Sequence, residues 1–216
     1  MFWPLEFWHA FFDESGEPLK NPGFDAIIGN PPYYTEVRGY KEQFRIYSKS
    51  PFVKEYYEQK MDVFYFFIEA GLDLLKTGGK LGFIILEYWH SREHAAKLRR
   101  KIAIEARLTN LVDFNDFKVF EQAKGQHNHI IILEKYQRKS TEKGIIPAVE
   151  ILDKDVSKEE VSTFLQQESG TDKIRKTMIE ITYLMDERGE GVKLQPKEYA
   201  TIIDGIEKIG GTRIDG

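Results

Sequence analysis

The stretch Phe24-Asp25-Ala26-Ile27-Ile28-Gly29 constrains the fold of this chain more than any other. It is a short apolar run, entered through Asn21-Pro22-Gly23 and closed by Asn30-Pro31-Pro32. A run of that length between turn residues reads as a buried strand. It stops at the prolines because proline has no N–H to give to a sheet ladder. Lys80 to Leu86, Leu108 to Phe114 and His129 to Lys135 read as further strands. Between the first two, Phe64, Phe67, Ile68, Gly71, Leu72 and Leu75 recur at intervals of three and four, the spacing of one helix face, and Gly78-Gly79 is the expected stop. A basic amphipathic helix is expected from about Ser91 to Arg107. Apolar strands alternating with helices imply an α/β sheet, parallel at least in part.

A polar, charged stretch at 136–144 marks a boundary, which divides the chain into a domain over 1–138 and an α+β appendage over 139–216. In the appendage the pattern predicts strands at 145–152 and 178–185 and helices at 157–167 and 196–209. A formal net charge of -4 argues against a protein that coats nucleic acid non-specifically. It is compatible with a local basic face. There are no cysteines, so disulfides and thiolate metal sites are excluded. No apolar stretch approaches the roughly 20 residues of a membrane span. The aromatic, acidic start Met1-Phe2-Trp3-Pro4-Leu5-Glu6 is unlike a secretory signal. A cytoplasmic location and no membrane partner are the expectation.

The chemistry centres on Asn30-Pro31-Pro32-Tyr33, at the carboxyl end of a buried strand. Open α/β sheets bind ligands beyond those ends. The prolines stiffen the turn, so the Asn30 side chain and the Pro31 carbonyl are preorganised acceptors. Two such acceptors can hold both N–H groups of an amine on a conjugated ring and favour a pyramidal nitrogen with an exposed lone pair. Tyr33 offers a ring face for stacking. This arrangement suits methyl transfer to an exocyclic amine. Taken alone, the tetrapeptide also reads as a stiff loop with a capping asparagine.

Three blocks extend the argument: "WPLEFWHAFFDESGEPLKNPGFDAIIGNPPYY", "MDVFYFFIEAGLDLLKTGGKLGFII" and "FNDFKVFEQAKGQHNHIIILEK". In these blocks and their order, the chain resembles the N6-adenine DNA methyltransferases of the restriction-modification, Eco57I-like type. The resemblance implies the second half of a Rossmann-like sheet that uses S-adenosylmethionine. It implies that Asn30 and Pro31 hold the target amine, that Pro32 completes the turn, and that Tyr33 stacks on an adenine flipped out of double-stranded DNA. It places Phe67 against the cofactor's adenine, whereas periodicity alone makes Phe67 helix core. Asp62, at the start of the same block, belongs to the cofactor side of the pocket or caps the helix. A second stacking surface is implied near His129–Leu133, with no aromatic there to name.

The family's glycine-rich cofactor turn finds no counterpart before Phe24. The expectation is therefore a chain that lacks an N-terminal cofactor segment and a C-terminal recognition region, and is inactive by itself. Two alternatives share the motif or the truncation: an enzyme methylating release-factor glutamine or RNA guanine, and a non-catalytic interaction module. His127 and His129 suggest a metal only superficially, because no carboxylate or cysteine cluster accompanies them in sequence, and no metal site is expected. Arg92, Lys97, Arg99, Arg100, Lys101 and Arg107 read as a solvated helix face, with a phosphate-facing role as the alternative.

Overall fold

The computed structural model describes residues 3–36, 39–121, 126–167, 171–184 and 191–196. A short helix α1 (Trp3–Glu6) leads into β1 (Phe24–Gly29). Helices α2 (Lys41–Tyr47), α3 (Pro51–Tyr56) and α4 (Val63–Leu74) follow, then β2 (Leu75–Leu86), α5 (Ala96–Glu105) and β3 (Ala106–Asp113). The chain continues through β4 (Asn128–Lys135), β5 (Glu142–Ile151), α6 (Lys158–Gln167), β6 (Ile174–Tyr183) and β7 (Val192–Pro196). The seven strands among the described residues form one sheet in the order β1-β2-β4-β3-β5-β6-β7. The pairs β1·β2 and β3·β5 are parallel, and the other four are antiparallel. The expected α/β class is the class observed. The sheet runs without a break past residue 139, because β5 joins β3 through Leu111↔Ala148 and its neighbours. No described helix is long and apolar enough to cross a membrane.

Side-chain alternation along the strands builds two cores. Leu81, Phe83 and Ile85 of β2, with Ile131 and Leu133 of β4, face α4 and α5. Ile84, Val112 and Ile130 point the other way, toward Phe114, Phe117 and the α6 residues Val161 and Phe164. A capping box starts α6: Glu160 N–H donates to Ser157 Oγ (3.1 Å) and Ser157 N–H to Glu160 Oε2 (3.0 Å).

Several expected boundaries move, each for a local reason. Helix α4 ends at Leu74, not at Gly78-Gly79, which lie inside β2. The cause is the segment before β1: Asn21 Nδ2 donates to the Thr77 carbonyl (3.1 Å) and Thr77 N–H donates to Asn21 Oδ1 (3.0 Å), which clips residue 77 into an extended path. Gly23 makes this approach feasible, since a Cβ there would lie 2.4 Å from the Lys76 nitrogen, and its φ is +124°. The basic helix is also shorter than expected. Arg92 precedes it, and Arg107 belongs to β3, where its guanidinium meets Glu134 of β4 at 2.8 Å. Strand β7 was not anticipated; of the helix expected at 196–209, Pro196 ends β7 and the remainder lies outside the described residues.

The Gly23 geometry gives a direct test. Gly23→Ala forces a left-handed φ and a backbone clash, so it is expected to destabilise by at least about 2 kcal/mol. Urea unfolding measures the loss; an unchanged midpoint would contradict the packing described.

Candidate active site

The turn after β1 presents Asn30 to solvent, buries Pro31, exposes Pro32 and half-buries Tyr33. No hydrogen bond engages the Asn30 side chain among the described residues, so its amide is available to a ligand. Tyr33 is fixed more tightly than its ring face alone requires. Its hydroxyl donates to the Ile84 carbonyl of β2 at 2.8 Å, and burial pushes its pKa up. The Tyr33 ring meets Phe64 of α4 edge-on at 6.2 Å and lies 6.3 Å from Phe120 at 57°. Phe120 is an aromatic neighbour of Tyr33 that the sequence did not single out. It sits inside the third quoted block, but only the fold shows that this aromatic reaches Tyr33.

The loop carrying Tyr33 is stitched to the start of α4. Val63 N–H donates to the Tyr34 carbonyl at 3.0 Å and Glu36 N–H to the Met61 carbonyl at 3.3 Å. Asp62 holds the N-cap position of α4, yet its side chain makes no cap hydrogen bond. Its buried carboxylate instead accepts from the Tyr88 hydroxyl at 2.9 Å. The Arg92 guanidinium covers the Tyr88 ring at 4.1 Å, and Tyr88 abuts Phe64 at 6.4 Å. The Asp62 side chain therefore does not cap α4; it ties the start of that helix to Tyr88, whose ring lies beside Phe64 and under Arg92.

The Eco57I restriction-modification methylase model matches residues 1–120, over half of the chain. The chain belongs to the Eco57I restriction-modification methylase family. Among its relatives, the type II methyltransferase M.HincII of Haemophilus influenzae is 31% identical over 119 residues, covering 55% of this chain and 23% of that protein. The type II restriction enzyme and methyltransferase RM.Eco57I of Escherichia coli is 30% identical over 120 residues, covering 54% of this chain and 12% of its own length. M.BstVI of Geobacillus stearothermophilus, a type II methyltransferase, is 26% identical over 200 residues, covering 90% of this chain and 34% of its own length. The chain thus spans a minor part of each relative. A type I restriction-modification methyltransferase subunit from Streptococcus thermophilus is similar in structure with TM-score 0.46 and 14% identity, covering 74% of this chain and 35% of that one.

Phe67 departs from the periodic reading. The other members of its stripe, Phe64, Ile68, Gly71 and Leu72, are buried, whereas Phe67 is 46% exposed. It is not helix core. Ile28 of β1 is 87% exposed, and among the described residues β1 pairs with β2 alone. An apolar strand edge and an aromatic ring on α4 are thus both open.

The histidines separate in the fold. His127 Nδ1 lies 2.8 Å from the Asn115 carbonyl. His129 is buried and does have carboxylate company, contrary to expectation: Glu87 and Asp113 place oxygens within 4.8 Å of it and of each other. These three come from the ends of three elements, so no sequence spacing reveals them. The Trp89 indole N–H, which only donates, faces His129 Nδ1 at 3.4 Å. That leaves the imidazole proton on Nε2, directed at Asp113 Oδ2 3.6 Å away, and uses the lone pair a metal would need.

The basic run divides: Arg92, Lys97, Arg100 and Arg107 are exposed, as a solvated face requires, and two members turn inward. Arg99 and Lys101 are buried. Arg99 donates to the Arg92 carbonyl, and Lys97 Nζ donates to the carbonyls of Glu55 (2.9 Å) and Tyr57 (3.0 Å).

Proposed function

We propose that this methylase region presents adenine N6 of a flipped base in double-stranded DNA for methylation by S-adenosylmethionine, in a cytoplasmic restriction-modification enzyme. The observation that carries the reading is the unengaged Asn30 amide beside a tethered Tyr33 at the sheet's carboxyl edge. Asn30 and the Pro31 carbonyl accept from the two N6 hydrogens, and Pro32 stiffens their turn. Tyr33 stacks on one face of the base and Phe120 closes on the other. A planar ring between two aromatics needs about 7 Å and parallel faces, so Phe120 both moves out from its 6.3 Å position and turns from its 57° tilt. Flipping is required because N6 is otherwise paired inside the duplex.

The cofactor supplies an electrophilic methyl on a sulfonium, so no strong base precedes attack. Exposed Phe67 offers the ring face for its adenine, and Asp62 supports that side of the pocket through Tyr88. The open β1 edge is where a strand bearing the glycine-rich cofactor turn would complete the sheet. By themselves, the 216 residues are expected to bind S-adenosylmethionine weakly or not at all. Calorimetric titration checks this, and micromolar affinity would show that the cofactor site is complete. For the reaction, the full-length enzyme is incubated with labelled cofactor and duplex DNA, release factor or RNA, and the products are analysed. N6-methyladenine in DNA is the expected product. Methylglutamine or methylguanine would move the enzyme to the other classes that share Asn-Pro-Pro-Tyr.

A further inference from the structure

Glu69 lies in the middle of α4 and is fully buried. Among the described residues neither carboxylate oxygen has a hydrogen-bond partner. The reaction makes no use of it. Helix α4 packs there against α3 and α5, and charged groups approach from each side: Lys97 and Lys101 from α5, Glu58 from the turn after α3, and Asp73 one turn further along α4.

The nearest cation is already committed. Lys101 Nζ donates to Asp73 Oδ1 (2.7 Å), Glu105 Oε2 (2.9 Å) and the Tyr56 hydroxyl (3.0 Å). Burial works against the Lys101 charge, but these bonds outweigh it and hold the amine protonated. Lys97 is bound to the carbonyls of Glu55 and Tyr57. A carboxylate at Glu69 would therefore be an uncompensated buried charge, the state that burial disfavours most. We propose that the α3–α4–α5 seam is a proton-operated latch, which closes on Glu69 as a neutral carboxylic acid and loosens when that proton leaves.

Burial, ahead of the surrounding charges, pushes the Glu69 pKa up from 4.5 to about 9. The folded state thus binds a proton that the unfolded chain has released. The contribution is fully present below the unfolded pKa and is lost as pH rises through the folded one. Across that window the unfolding constant is expected to rise about tenfold per pH unit from this group alone. Loosening α4 also reaches the pocket, because the Tyr33 loop is bonded to the start of this helix and Phe67 projects from it. That consequence rests on the proposed methyltransferase function; the latch itself does not.

Urea unfolding of the 216-residue chain between pH 5 and 9 is the test, with Glu69→Gln alongside. The wild type should lose about one proton-equivalent of pH dependence that the glutamine variant lacks. Equal pH slopes in the two proteins would overturn the proposal. Should Glu69→Gln fail to fold, carbon-13 NMR of the wild-type glutamate carboxyls decides. One resonance titrating near pH 9 supports the latch, and all of them titrating near pH 4–5 overturns it. Neither readout involves DNA or cofactor, so the failure of the latch and the failure of the proposed reaction are distinguishable.

Discussion

Asn30→Ala is expected to lower the methylation rate of the full-length enzyme by about a hundred- to a thousandfold, the roughly 2.7–4 kcal/mol typical of one preorganised transition-state contact. The contact strengthens during reaction, because N6 pyramidalises and gains positive charge as the methyl arrives. The fold should be untouched, since the Asn30 side chain is exposed and ties down nothing among the described residues. Thermal unfolding of the variant checks that half of the claim. Tyr33 separates into two effects. Tyr33→Ala should weaken capture of the flipped base by the ~1–3 kcal/mol of base–aromatic stacking. Tyr33→Phe keeps the ring and loses the hydrogen bond to the Ile84 carbonyl, so a smaller cost of about 1 kcal/mol is expected rather than none. An adenine in a mismatch, already partly unstacked, should rescue Tyr33→Ala in part. Near-wild-type turnover in Asn30→Ala would remove the assigned role.

For stability, Arg138→Ala is expected to cost about 2–4 kcal/mol, because it leaves two carbonyls without a donor and removes a buried cation from an aromatic face. The guanidinium is buried and stands 3.5 Å over the Tyr183 ring. Its Nη1 donates to the carbonyls of Ala103 (2.5 Å) and Ala106 (2.9 Å), and Nε donates to Glu142 (2.9 Å). Those carbonyls lie at the C-terminal end of α5, where helical acceptors have no intrahelical partner and a cation is favoured. One side chain therefore joins α5 to β5 and β6. Tyr183 adds to the joint by accepting from the Leu108 backbone N–H at 2.7 Å. Arg138→Lys retains the charge without the planar fork and should fall between wild type and alanine. Urea unfolding that places Arg138→Ala within 1 kcal/mol of wild type would show the joint to be dispensable.

Local sequence carried a good deal of this protein. The Phe24–Gly29 strand and the turn behind it followed from an apolar run stopped by prolines, and α4 from helical spacing; the expected burial of that strand did not hold, since none of its residues is buried and Ile28 is open where only β2 pairs with it among the described residues. The helix expected at 157–167 is present as α6, one residue shorter at its start. These features depend on interactions within a few residues, so the sequence displays them directly. The family resemblance likewise rested on blocks that the Eco57I methylase model spans in part, over residues 1–120.

Whatever depended on residues far apart in the chain was decided by the fold. Leu74 ends α4 because Asn21 clips Thr77, an exchange across 56 positions. Phe67 and Ile68 are equally apolar neighbours on one helix; burial differs because β2 and α5 cover one side of the stripe and no described element covers Phe67. The carboxylates beside His129, the Tyr88 hydroxyl on Asp62 and Phe120 beside Tyr33 were equally hidden, since strand order rather than spacing brings them together. The sequence by itself determined that β1, α4, β2, β3 and β4 would form, though not all of their ends, and where a proline-stiffened turn would stand, because those are short-range consequences of side-chain volume and backbone freedom. The tertiary structure alone decided which side chains are buried, paired or left open, because burial belongs to whatever packs over a residue and not to the residue itself.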